Sequence, residues 1–179
     1  MRAPTGTLLR AGLTAIVSLA LVAGCTDDPK PGTLKTPTAT PTSTTASPTP
    51  TTPEAQIEAA VRAYYAELTK AAQTNDTSKL APMVTPGCPC YGAVRGINKA
   101  RAAGRTTPGA SWTIDSLHVH DVENGTGLAE VEYTVSSYKV LNAKGNVVAD
   151  YPETQSHVDL SLVQNDQAWI IGNLFDLEG

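Results

Sequence analysis

Two sets of residues in this chain have the types and spacing to do chemistry. Cys88 and Cys90 flank Pro89 in the stretch PGCPCYG, and the only other cysteine is Cys25. A pair this close has three uses: a structural disulfide, a redox couple, or a soft-metal clamp that with Met83 upstream would select Cu(I). Bridging needs Cα atoms about 4.4–6.8 Å apart, within reach if the chain bends at Pro89, whose ring fixes its own φ and holds Cys88 extended. Closing so small a ring gains only about 1.6 kcal/mol in the chain-entropy model, so a disulfide there locks a turn and does not hold a fold together. Cys-x-Cys also lacks the two-residue spacing of the Cys-x-x-Cys redox motif. The second set is His118, His120 and His157, the only histidines. His-x-His on one strand with a third His on a neighbour is a geometry that holds zinc. Yet Leu117 and Val119 alternate with the first pair, and Val158, Leu160 and Leu162 run out of phase with His157. If the aliphatic residues face a core, all three imidazoles face solvent, and no metal site is expected.

The redox compartment follows from the N-terminus. Arg2 and Arg10 precede the apolar run Ala11–Gly24, and Cys25 is followed at once by polar TDDPK. That is the layout of a secretory leader. The run is too short for a bilayer span of about 20 residues. An exported chain meets an oxidising environment, which favours the disulfide. VAGC at Val22–Cys25 resembles the bacterial lipobox, in which the cysteine is acylated before cleavage in front of it. That resemblance implies residues 1–24 as a lipoprotein signal peptide and Cys25 as a diacylglyceryl-modified N-terminus. Two acyl chains suffice for stable anchoring at the extracytoplasmic face of the cell membrane.

Residues 26–53 contain 11 threonines and 7 prolines and a single large apolar residue, Leu34. Such a segment cannot form a core; as polyproline II it would reach about 85 Å. Residues 25–53 thus read as a lipidated, disordered Thr/Pro-rich linker. Loss of Arg2 and Arg10 with the leader takes the formal charge from −4 to −6. An acidic chain has no electrostatic case for nucleic acid or anionic headgroups as partners.

Residues 54–179 suit one domain. Pro53 and Glu54 open a helix, and Ile57, Ala60, Val61, Tyr64, Tyr65, Leu68, Ala71 and Ala72 form a stripe at helical spacing. Asn75 to Thr77 breaks it. TSKLAPMV predicts a short helix stopped near Pro82, PGCPC a tight non-helical connector, and YGAVRGINKARAAGR a third helix ending at Gly104. Beyond TTPGA the period falls to two. SWTIDSLHVHDV, GLAEVEYTVSSYKVL, NVVADY, QSHVDLSLVQ and AWIIGNLFDL read as strands joined by ENGT, NAKGN, YPET and QNDQ turns. Asn75-Asp-Thr and Asn124-Gly-Thr match glycosylation sequons and are read as turns. Helices first and an antiparallel meander afterwards is α+β.

This order resembles the nuclear transport factor 2-like fold, the SnoaL or ketosteroid-isomerase-like cone, with N-terminal helices on a curved antiparallel sheet of four to five strands. The lipobox at Cys25, the Thr/Pro stalk, the cysteine pair and GASW at Gly109–Trp112 together resemble actinobacterial lipoproteins carrying a domain of unknown function, number 6318. That family's pair is more often spaced by two residues. The resemblance implies the fold and assigns no activity. Cone-fold enzymes use a carboxylate in an apolar pocket, its pKa raised by desolvation, to move a proton next to a carbonyl. Asp115, in phase with Leu117 and Val119, is the candidate here, with Tyr64, Tyr65 and Tyr133 as hydroxyl donors. Trp112 and Ile114 run out of phase with Leu117, so a bulge near Asp115 would turn it outward. Phosphate-binding glycine loops and a Ser/His/Asp signature are absent.

The expected function is a membrane-anchored, non-catalytic module for a small ligand or an envelope protein, without a cofactor. Its pocket is expected between the first helix (Tyr64, Tyr65, Leu68) and the sheet (Val131, Tyr133, Trp169), holding a small apolar ligand or filled by its own side chains. The alternatives are an isomerase or cyclase using Asp115, and copper binding through Cys88 and Cys90. Such folds often dimerise through the convex sheet face, so a homodimer is a further expectation.

Overall fold

A computed structural model describes residues 51–166 and 168–177. The leader, Cys25 and the Thr/Pro-rich stretch up to residue 50 lie outside the described residues. Helix α1 spans Pro53–Thr74. The Thr52 hydroxyl accepts the Ala55 N–H at 3.2 Å, Pro53 takes the first turn where its missing donor costs nothing, and Asn75 ends the helix at φ 58°. The stripe from Ile57 to Ala72 is the buried face.

The segment after α1 is not the short α-helix that its sequence predicts. It forms a turn and one 3₁₀ turn, Ala81–Met83, with Pro82 inside it. Proline at the head of so short a helix satisfies sterics but leaves no length to propagate. Leu80 is nonetheless fully buried, and the Thr77 hydroxyl donates to Asn98 Oδ1 at 3.1 Å, tying this segment to the next helix. The cysteine stretch leads directly into α2, Tyr91–Ala102, with the Tyr91 N–H donating to Cys88 O at 3.0 Å and the Gly92 N–H to Pro89 O at 2.8 Å. PGCPC is thus the tight non-helical connector that the sequence predicts, and it leads straight into the first turn of α2. Gly104 at φ 62° follows the end of α2.

Six strands follow: β1 (Trp112–Glu123), β2 (Thr126–Val135), β3 (Tyr138–Leu141), β4 (Val147–Tyr151), β5 (Thr154–Asn165) and β6 (Ala168–Asp176). Four make one antiparallel sheet in the order β1-β2-β5-β6, and β3-β4 is a separate two-stranded ladder. The stretch GLAEVEYTVSSYKVL is thus two strands, β2 and β3, broken at Ser136-Ser137. Ala129 and Val131, Val158 to Leu162 at alternate positions, and Trp169 and Ile171 bury one face of the sheet against α1. Gly127 makes that approach possible: a Cβ there would come within 2.5 Å of Ile57 Cδ1. The β6 edge is covered, because the Thr85 N–H donates to Ile171 O at 2.9 Å. Among the described residues no helix is long and apolar enough to cross a membrane.

The β3-β4 ladder continues the β2-β5 ladder in unchanged register, from Val135↔Thr154 to Tyr138↔Tyr151. Between the two, Ser136 extends the β1-β2 ladder by one pair, its N–H donating to Ser111 O at 3.0 Å, and its hydroxyl donates to Gly109 O at 2.9 Å. On its other side β3 meets Thr106, each backbone N–H of Thr106 and Leu141 donating to the other's carbonyl. The arm is thereby carried over to the loop that follows α2.

Candidate functional site

Gly96 and Ala100 on α2 and Ala103 at its C-cap recur at spacings of four and three and so line one side. Their side chains are too small to cover the backbone. Facing them is the β3-β4 arm, where Tyr138 and Tyr151 stack as a cross-strand pair with ring centroids 5.0 Å apart and planes 20° apart. Trp112 lies behind Tyr138 at 6.5 Å. The space left between helix and arm has two parts. The inner part, about 190 Å³, is apolar and is lined by Leu68, Ala72, Ile97, Trp112 and Tyr138 among others. The outer part, about 450 Å³, shares Gly96, Ala100, Thr107 and Tyr138 with it and adds Lys99, Arg105 and Tyr151.

Hydrogen bonds fix the frame. The Thr107 hydroxyl donates to Ala72 O at 2.7 Å and Gln73 Nε2 to Ala110 O at 2.8 Å, joining the end of α1 to the loop before β1. Asn75 Nδ2 donates to Arg105 O at 2.7 Å, and the Arg105 N–H to Ala100 O at 2.9 Å, so the Arg105 backbone is held while its side chain stays exposed. Among the described residues no acid lines either part. Lys99 and Arg105 form no ion pair with another described residue. Burial, with Tyr151 as a lesser cause, raises the Tyr138 hydroxyl pKa, so at neutral pH it is a neutral donor. The cleft as built can grip an apolar body and present cations beside it.

The six residues expected to line a pocket do not converge on one void. Tyr64, Tyr65, Leu68, Val131 and Trp169 are buried and Tyr133 is half-buried. Tyr65 packs on Tyr64 at 5.2 Å and on Tyr133 at 5.0 Å. Trp169 donates to Gln56 Oε1 at 3.2 Å near the start of α1, about 18 Å along the helix axis from Leu68. They run the length of the helix–sheet interface, and of the six only Leu68 lines the inner cleft. Burial, with Tyr133 second, pushes the Tyr64 hydroxyl up to about 12, and burial followed by Tyr133 and Tyr64 raises Tyr65.

Asp115 is not in an apolar pocket. The β1-β2 register shifts between Ile114 and Ser116, the bulge that the phase change in the sequence predicts, and it places Asp115 on the exposed face, accepting from the Thr134 hydroxyl at 2.7 Å. The carboxylate is solvated there and lacks the desolvation that the proton-transfer chemistry needs.

The histidines lie outside the core, and the three do not gather into one metal site. His118 and His120 stack at 6.0 Å, His120 Nδ1 is 2.8 Å from Asp121, and His157 Nε2 is 2.7 Å from Glu130. Among the described residues no three His, Cys, Asp or Glu side chains are placed to hold a metal. Cys88 and Cys90 are buried and joined by a disulfide, their Cα atoms 5.1 Å apart, so in this form neither sulfur is a thiolate donor for copper. Cys25 lies outside the described residues.

Sequence reasoning missed Gly96, Ala100, Lys99, Arg105, Tyr138 and Tyr151. One signal was present: between Asp76 and Asp115 the chain holds Lys79, Arg95, Lys99, Arg101 and Arg105 and no Asp or Glu, inside a protein with 17 acids.

No family model and no curated protein matches the chain. Solved structures do match. The intermembrane space region of the chloroplast protein ARC6 aligns at TM-score 0.52 and 17% identity, over 73% of this chain and 100% of that one. Aln2 from a Streptomyces species aligns at TM-score 0.43 and 19% identity, over 69% and 90%. An NTF2-like protein with a cystatin-like fold from Novosphingobium aromaticivorans aligns at 0.43 and 15%, over 68% and 82%. Identities this low speak of fold alone. The domain is α+β, helices packed on an antiparallel sheet.

Proposed function

We propose that this protein is a lipoprotein of the type carrying the domain of unknown function number 6318, tethered through an acylated Cys25 to the extracytoplasmic face of the cell membrane, and that its folded domain is a non-catalytic module for a small, apolar-bodied ligand. The observation that carries the binding part is the apolar cleft between α2 and the β3-β4 arm. Apolar clefts with a few polar groups at the rim are where small ligands bind. The position of Cys25 after a leader, and the Thr/Pro-rich stretch behind it, support the tether. The ligand site moves from the helix–sheet interface to the cleft, because the interface is filled by its own large side chains. An isomerase working through Asp115 finds no support in the solvated position of that carboxylate, and the closed disulfide gives copper binding none.

Two measurements test the reading. The mass of the N-terminal peptide of protein extracted from its native membrane should show a diacylglyceryl-modified Cys25, and an unmodified Cys25 refutes the tether. The full chain carrying Cys25→Ser, titrated with 1-naphthylacetamide, should shift the Trp112 indole and Gly96 amide resonances. Saturating ligand without movement at those two sites refutes the cleft.

A further inference from the structure

The cleft is asymmetric, and its asymmetry specifies a class of ligand. Its inner part presents aliphatic carbon, the Trp112 indole and the Tyr138 ring. Its outer part presents Lys99 and Arg105. Both cations belong to the acid-free segment that follows Asp76. In a chain of net charge −4 that segment is a local inversion of sign. The nearest acid on the arm, Asp150, is engaged on Lys139 at 3.5 Å and does not line the cleft. Unpaired cations over an apolar slot complement a molecule with a hydrophobic body and one anionic end. Stacked tyrosines offer a flat surface of low conformational entropy for the body. Arginine presents its donors as a planar fork matched to the two oxygens of a carboxylate.

We propose that the cleft binds an amphipathic carboxylate, with its apolar body against Trp112 and Tyr138 and its carboxylate between Lys99 and Arg105. This rests on the binding reading above and adds the charge of the ligand to it. Both cations are exposed. Exposed ion pairs are individually weak, so the anionic end adds selectivity and the apolar body most of the affinity.

The test compares two probes that differ only in charge, 1-naphthylacetate and 1-naphthylacetamide, on the full chain carrying Cys25→Ser, followed by the Trp112 indole and Gly96 amide resonances. The carboxylate is expected to bind about fivefold more tightly at low salt, and the difference should close as NaCl approaches 1 M, where the screening length is about 3 Å. The double variant Lys99→Gln/Arg105→Gln should bind the carboxylate as weakly as the amide and leave the amide's affinity unchanged. Equal binding of the two probes by the unsubstituted cleft overturns the charge assignment and leaves the binding reading standing. Persistence of the preference in the double variant overturns the assignment of these two cations. Failure of both probes to move either resonance overturns the binding reading itself. Should the double variant not fold, the probe comparison and its salt dependence decide alone.

Discussion

Gly96 allows stability and function to be set against each other at one position. It sits in the middle of α2, where glycine is disfavoured relative to alanine by about 0.5–1 kcal/mol through the backbone entropy it loses. A Cβ built on it meets nothing within 4 Å. Gly96→Ala therefore brings no clash and buries almost nothing, leaving the helix-propensity gain nearly whole. At about 2.1 cal/mol/K per residue over a domain of this size, that gain raises the unfolding midpoint by about 2–4 °C. The natural sequence forgoes it at a position whose missing side chain opens the cleft. Gly96→Leu should keep most of the stabilisation, leucine being a good helix former, while its side chain enters the slot and weakens 1-naphthylacetate binding more than tenfold. Thermal unfolding by circular dichroism gives the first number and the resonance titration the second. A lowered midpoint in Gly96→Ala would mean that the space beside Gly96 is occupied in solution. Unchanged affinity in Gly96→Leu would mean that the probe binds elsewhere. Either result removes the cleft from the argument.

Further outcomes follow from the same geometry. Gly127→Ala should destabilise by about 1–3 kcal/mol, because its Cβ overlaps the fully buried Ile57 Cδ1; adding Ile57→Val removes that atom and should recover part of the loss, a coupling that a urea double-mutant cycle reads directly. Reduction of Cys88–Cys90 should lower stability by no more than about 1.6 kcal/mol with the fold retained, and a larger loss in urea unfolding would show that the ring does more than lock its turn. Asp115→Asn should leave probe affinity unchanged and stability within about 1 kcal/mol; a loss of binding would return the carboxylate to contention. Tyr64 and Tyr65 have folded pKa values raised above the unfolded value of 10, so the unfolded state releases protons first as pH rises. Their contribution is complete below pH 10 and is lost as pH climbs toward 12, at up to about 1.4 kcal/mol per pH unit for each group. Urea midpoints across that window, with Tyr64→Phe flattening the slope, check the sign.

Much of the fold was legible because the period of apolar residues reports which face is buried. The Ile57–Ala72 stripe and the phase change around Asp115, with the bulge it implies, reappear in the structure at the residues that signalled them. The 3₁₀ turn at Ala81–Met83 was misread because Pro82 both starts and limits it. The break between β2 and β3 was missed because Val135 and Tyr138 are each good strand residues, and the cause lies on the partner strand. The site was the least legible part, for a reason of volume. Large apolar residues such as Tyr64, Tyr65 and Trp169 attract attention as pocket walls, yet in a close-packed interior large side chains fill space. Voids are left by small ones, and Gly96 and Ala100 announce nothing by type. The acid-free run around Lys99 and Arg105 was readable, but its meaning depends on which surface the arm faces.

A proline stands at the root of that surface. The β2-β5 ladder ends at Val135↔Thr154 and resumes in the same register at Tyr138↔Tyr151, so the hairpin is one pairing scheme interrupted and not two. The interruption spans Ser136-Ser137 on one strand and Pro152-Glu153 on the other. Pro152 has no N–H to give and cannot continue a central ladder. Beside the gap, Ser136 holds the β1-β2 register through its N–H to Ser111 O and anchors its hydroxyl on Gly109 O, and Leu141 pairs with Thr106. Those bonds pull the arm off the sheet and over α2, so that Tyr138 stands above Gly96 and Ala100 across the cleft. Unchanged register has a second effect: it keeps Tyr138 and Tyr151 directly opposite, which is what stacks them. A slip of one residue would send the two rings to opposite faces. The shape of the cleft therefore depends on a strand that stops pairing without losing count, and Pro152 stands where the pairing stops.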